Sequence, residues 1–305
     1  MRAVSGEQWS IRKGSATATV VELGGGLRTY TVDGVDIVAG YGPDEVARFG
    51  RGQQLMPWPN RIRDGRYSFA GKQYQLPLTE PALGNASHGL VRWLPWRLLS
   101  HDDSSLRVGA TLFPQPGWDG LLELELTYAL GDEGLKVTPL ATNRGAATVP
   151  FGYGAHPYVA LGDTPLAQVV LHAPAQQEML VDDRKLPTGS AEVRPEHDFR
   201  TPRELGTVSL DTAYTQVDLD AAGRWEVTLA SLKDRPSVTV WGDEAFPWFQ
   251  VFTDKGADSG VDGARGIAVE PMSCPADAFN SGVDLLHLEP GQSWTGTWGI
   301  RPVTG

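Results

Sequence analysis

Apolar and polar residues alternate along much of the chain. Leu122, Leu124, Leu126 and Tyr128 fall on one side of a strand, while Glu123, Glu125 and Thr127 fall on the other. A period of two marks a β-strand with one wet face. The alternation runs past Gly131-Asp132-Glu133-Gly134, which predicts a hairpin over residues 121–142. The same reasoning predicts hairpins over 16–32, turning at Gly24-Gly25-Gly26, over 66–76, turning at Ala70-Gly71, over 97–112, turning at 101–105, and over 225–241, turning at 233–236. Residues 249–253, 266–270 and 294–300 read as further strands. Helical spacing is sustained nowhere, and residues 275–279, with Pro275 near the start, predict one short helical turn.

The 36 glycines and 22 prolines supply turns at short intervals, as a large antiparallel β-sandwich or barrel with few short helices requires. No linker or internal repeat interrupts the pattern, so a single domain is expected over residues 1–305. Residues 173–206, rich in charge and proline, read as a long surface excursion from it. A net charge of -11 argues against nucleic acid or an anionic membrane as partner and favours a small neutral ligand. The one cysteine, Cys274, excludes an intrachain disulfide framework and a thiolate metal cluster. Residues 1–19 hold no apolar run of signal-peptide length, and no later run is long enough to span a membrane. These features lead to the expectation of a soluble, cytoplasmic protein, a monomer or homodimer, with no metal and no cofactor.

Polar chemistry gathers at a few places. In Phe151-Gly152-Tyr153-Gly154-Ala155-His156-Pro157-Tyr158, a histidine sits between a glycine-rich turn and a proline that holds it out of helical geometry. An imidazole so held can trade protons, and the neighbouring rings offer apolar faces. Glu270 ends the apolar run Gly266-Ile267-Ala268-Val269, and burial there would raise its proton affinity toward that of a general base. Pro57 and Pro59 stiffen the approach to Asn60 and Arg61, which offer amide and guanidinium donors side by side. His88 projects from the small-residue turn Gly84-Asn85-Ala86-Ser87, and Asp211 and Gln250 stand near strand ends. Each also has an ordinary structural reading: a satisfied buried histidine, a surface arginine, a loop histidine, a strand-end carboxylate facing water, or side chains that cap backbone groups.

The joint pattern resembles the aldose 1-epimerases, or galactose mutarotases. Asn60-Arg61-Ile62 with Gly65 and the following hairpin, His88-Gly89, His156-Pro157-Tyr158, Leu210-Asp211, Gln250 in a Phe-Gln-Val-Phe-Thr strand and Glu270-Pro271 recur in the family's order over nearly the whole chain. Phe246-Pro247-Trp248-Phe249 and the lead from Gln54 to Trp58 are more similar to a less characterised bacterial branch than to galactose-specific members. The resemblance implies a large antiparallel β-sandwich, no cofactor, and a sugar substrate. It implies Glu270 as general base at the anomeric hydroxyl and His156 as acid at the ring oxygen. It also implies that Arg61, His88, Asp211 and Gln250 bind and polarise the sugar, with Asn60 assisting.

Three rival readings share parts of this pattern. A carbohydrate-binding module would share the sandwich and the aromatic residues without needing paired proton transfer. A sugar-phosphate epimerase, for instance on a hexose 6-phosphate, would need a basic cluster such as Arg61, Arg63 and Arg66. A glycoside hydrolase would need two facing carboxylates, for which Asp211 and Glu270 are the available pair.

Overall fold

The computed structural model describes residues 3–160, 162–230, 237–253 and 266–303. Two antiparallel sheets form the body of the sandwich. The ten-stranded sheet runs, in spatial order, through Arg97–His101, Ser105–Leu112, Leu122–Gly131, Gly134–Asn143, Trp298–Val303, Ser237–Asp243, Arg224–Ala230, Val170–His172 and Arg203–Glu204, with Ser293–Thr295 paired beside Gly134–Asn143. The eight-stranded sheet runs through Pro187–Glu192, Ala175–Val181, Asp211–Val217, Trp248–Phe252, Gly266–Met272, Gly154–Ala155 and Gln54–Leu55, with Tyr158–Ala160 also paired to Gly266–Met272. A smaller four-stranded sheet holds Gln8–Lys13, Ala16–Val21, Leu27–Val32 and Val35–Asp36.

The alternation of Leu122, Leu124, Leu126 and Tyr128 reappears as strict alternation of burial along Leu122–Gly131. These side chains share one apolar cluster with Val227 and Trp225 of the same sheet and with Phe249, Val251, Ile267 and Val269 of the other. Phe249 lies between Tyr214 and Trp225, at ring separations of 5.3 and 5.0 Å. A chain of polar side chains crosses the same interior. Trp298 Nε1 donates to the Tyr153 hydroxyl, which donates to Gln54 Oε1, while Gln54 Nε2 donates to Tyr128. Buried phenols and amides are tolerated only when paired in this way.

Gly266–Met272 is buried at every position, on both faces. A carboxylate placed on this strand is therefore removed from water whichever face it occupies.

The expected excursion over 173–206 is instead partly sheet. Ala175–Val181 and Pro187–Glu192 form an antiparallel pair at the edge of the eight-stranded sheet. The outer strand has no fully buried residue, so it carries no apolar period to read. The short helix expected near Pro275 forms slightly later, as α1 (Ala278–Ser281), and ends at Gly282 with φ 75°. The turn expected at 233–236 lies outside the described residues. Among those described, no helix is long and apolar enough to cross a membrane.

Candidate active site

Strand register gathers the chemistry on the outer face of the eight-stranded sheet. Gln250 pairs opposite Glu270, and Ala213 pairs opposite Gln250. Asp211, two residues before Ala213, therefore shares the face of Gln250 and Glu270, while Val251 and Val269 point into the core. On the other side of Glu270, Gly154 pairs with Met272 and Tyr158 with Ala268. The unchanged register across the Pro157 interruption puts His156 opposite Glu270. Their side chains meet, His156 Nε2 lying 3.4 Å from Glu270 Oε1, and both are almost wholly buried.

A two-stranded ribbon, Arg61–Arg63 paired with Asn85–Ser87, brings in the donors. Asn60 and His88, at its ends, both adopt left-handed backbone, φ 55° and 61°. There the His88 amide donates to Asn60 O at 2.7 Å, and the Asn60 amide donates to His88 Nδ1 at 3.2 Å. An accepting Nδ1 leaves Nε2 to carry the proton of a neutral His88 ring. Gly89 is required next, because a Cβ there would lie 2.0 Å from Met56 O.

Hydrogen bonds tie these side chains together. Asn60 Nδ2 donates to Gln250 Oε1 at 2.8 Å, and Gln250 Nε2 donates to Asp211 Oδ1 at 2.6 Å. Arg61 binds Glu80 with two bonds of 2.8 and 2.9 Å and reaches Asn60 Oδ1 at 3.3 Å. Lys185 Nζ lies 3.3 Å from Asp211 Oδ2. Lys185 and Arg184 come from the turn of the edge hairpin, and Arg184 also donates to Leu83 O, Gly84 O and Asn85 Oδ1 beside the ribbon. The segment read from sequence as an excursion thus braces the site.

Asn60, Arg61, His88, His156, Asp211, Gln250 and Glu270 all line one cleft of about 440 Å3, with Phe49, Gly50, Glu80, Arg92 and Trp93 among its other walls. Sequence reasoning missed Glu80, Arg92, Phe49, Trp93 and Lys185. None interrupts a local pattern, and each joins the site through contacts distant in sequence. A larger cavity of about 800 Å3, lined in part by Met179, Pro247, Trp248 and Val283, is mainly apolar and has no histidine. We favour the smaller cleft because a carboxyl, imidazoles and hydrogen-bond donors converge there.

Burial sets the protonation of the pair. It lifts the Glu270 carboxyl well above its ordinary range, with the Asp211 charge adding and Arg61 opposing. It pulls His156 down to about 3, and Arg92 acts in the same direction. His88 is held well below its usual range by burial, then by His156, Arg92 and Arg61. A carboxyl and an imidazole in contact can therefore share one proton, as acid plus neutral ring or as carboxylate plus imidazolium. Such a pair can take a proton at one atom and deliver one at another.

The model of the family described as aldose 1-epimerase matches residues 7–301. The chain belongs to the aldose 1-epimerase family. This epimerase-family chain is 34% identical over 291 residues to YihR, an uncharacterized protein of Escherichia coli K12, covering 94% of this chain and 91% of that one. It is 31% identical to the galactose mutarotase of Mus musculus over 162 residues, covering 48% and 44% of the two chains. In structure it superposes on the GalM/aldose epimerase homologue from C. elegans with a TM-score of 0.85 at 20% identity, over 98% of this chain and 99% of that one. The antiparallel sandwich is thus a galactose mutarotase-like fold.

Proposed function

We propose that the protein interconverts the α and β anomers of a free aldohexose by opening and closing the pyranose ring. The observation that supports this most directly is the contact of Glu270 with His156 inside a cleft that also holds Asn60, Arg61, His88, Asp211 and Gln250. A cyclic hemiacetal opens readily when one group removes the O1 proton while another protonates O5, and each such transfer is worth roughly 100- to 10,000-fold in rate.

In this reading Glu270, as carboxylate, takes the proton from O1. The electron pair forms the C1=O1 bond, the C1–O5 bond breaks, and His156, as imidazolium, gives its proton to O5. The open-chain state then has Glu270 protonated and His156 neutral, the forms that burial favours in each. After rotation about C1–C2, O5 attacks the other face of C1 and returns its proton to His156, while Glu270 reprotonates O1. Arg61 and the Nε2–H of His88 stabilise charge developing at the ring oxygen, and Asp211 and Gln250 fix the outer hydroxyls. The chain's own groups balance every proton in this cycle.

A phosphorylated aldose is the second reading, favoured by Arg92. Its guanidinium faces Gln53 Oε1 and Ser87 O, both neutral, at 3.3 Å each. The arginines singled out from sequence give this reading less support, since Arg61 is paired with Glu80, Arg63 with Asp277 and Arg66 with Gln75.

Exchange between anomers, followed by NMR on glucose, galactose and their 6-phosphates, tests both readings. Catalysed exchange of the free sugars supports the first, and catalysis confined to the phosphates supports the second. Binding without faster exchange refutes both and leaves a carbohydrate-binding protein.

A further inference from the structure

Two large rings at the cleft stand out to solvent. Phe49 is 58% exposed and Trp93 is 52% exposed, yet both belong to the cleft wall. Single exposed aromatics are common on protein surfaces and by themselves say little. These two differ because their loops are fastened to each other and to His156. Gly52 donates its amide to His156 O, and the His156 amide donates to Gln53 O, each at 3.0 Å. The side chain of Gln53 in turn accepts from Arg92 Nη1 at 3.3 Å, and the Arg92 guanidinium lies 5.8 Å over the Trp93 ring. On the other loop the Tyr158 hydroxyl donates to Phe49 O at 3.0 Å, while the Tyr158 ring stacks on His156 at 5.1 Å.

Phe49 also adopts left-handed backbone, φ 54°, which a bulky side chain takes up only when its surroundings impose it. Core packing does not account for this, because the ring is exposed, and among the described residues neither ring stacks on another aromatic side chain. Both rings stand largely in solvent at the cleft, with Arg92 lying over one face of Trp93.

We propose that Phe49 and Trp93 are the aromatic platform of the cleft, on which the apolar C–H face of a pyranose rests while its anomeric end meets Glu270 and His156. This inference rests on the reading of the cleft as a sugar site and adds to it the two residues that would carry the unsubstituted C–H face of the closed ring. An acyclic polyol carries the same hydroxyls without that flat face, so the platform rejects it. Because the loops are fixed in advance, little ordering cost is charged against the contact.

Trp93→Ala and Phe49→Ala test the proposal, with kinetics on the free aldose that the wild type turns over best. Each is expected to raise KM by about threefold to tenfold, the scale of one aromatic contact. The value of kcat should stay within about twofold and the unfolding midpoint should not move, since an exposed ring supports no core. Calorimetric titration with 1,5-anhydroglucitol, which has no anomeric hydroxyl and cannot turn over, should weaken by the same factor as KM, while glucitol should bind neither protein. Trp93→Phe should restore most of the affinity. Unchanged KM and unchanged anhydroglucitol affinity in both alanine variants would overturn the platform, as would a fall in kcat at constant KM. A wild type that binds no pyranose would instead sink the sugar reading itself.

Discussion

Gly50 offers a way to disturb the contact between His156 and Glu270 without substituting either residue. A Cβ at this position would lie 2.7 Å from His156 Cδ2, 3.0 Å from Cγ and 3.1 Å from Nε2. Ordinary carbon–carbon contact is about 3.5 Å, so the two must separate by roughly 0.8 Å. The Gly50 backbone resists movement because its carbonyl accepts from the Gln53 amide at 2.9 Å. The imidazole is held as well, stacked on Tyr158 at 5.1 Å with the edge of His88 5.5 Å away. Whatever yields, the 3.4 Å contact with Glu270 is disturbed. Gly50→Ala is therefore expected to lower kcat by about 10- to 100-fold, since a displacement near 1 Å costs on that order. Gly50 also has φ 81°, and a left-handed alanine alone costs about 1–2 kcal/mol. Gly14→Ala isolates that cost, because Gly14 has φ 58° and open space around it. Urea unfolding and anomer exchange would be measured for both variants. If Gly50→Ala loses no more stability than Gly14→Ala and keeps wild-type kcat, the steric reasoning is refuted.

Two further outcomes follow from the network and from burial. Gln250→Leu removes the link between Asn60 Nδ2 and Asp211 Oδ1, so it should cost about 1–3 kcal/mol through groups left unpaired and raise KM about tenfold; an unchanged unfolding midpoint and KM would show that the link is idle. His156 falls from an ordinary value of 6.5 to about 3 on folding, so its contribution to stability is present above pH 6.5 and is lost as pH falls toward 3. Glu270, shifted upward, acts in the opposite sense in both proteins compared, so wild type should lose more stability than His156→Asn between pH 7 and pH 3. Parallel curves in urea-midpoint measurements would contradict the burial argument.

The fold was legible wherever an apolar period met a turn. Leu122–Gly131 and Gly134–Asn143 were readable because leucine and glutamate alternate up to a glycine-bounded turn. Pro187–Glu192 was not, because an edge strand of small and polar residues, none of them fully buried, has no apolar period to detect. Glu270 drew attention as a charge ending an apolar run, and His156 as a ring between glycine and proline. His88 was ambiguous for a physical reason, since a small-residue loop gives no sign that the ring will accept a backbone bond from Asn60 and line a cleft. Glu80 and Arg92 were invisible because their significance lies in partners 19 and 39 residues away. Which residues meet in one cleft was suggested by family resemblance, and the strand register supplies the physical account of it.

The central claim is that Glu270 accepts the anomeric proton within a cleft built to hold a sugar. It is tested most directly by the rate of anomer exchange catalysed by Glu270→Gln, with sugar affinity measured on the same protein. A loss of about 100-fold or more with the sugar still bound is expected, since only the proton acceptor is removed. Exchange within about twofold of wild type would contradict it.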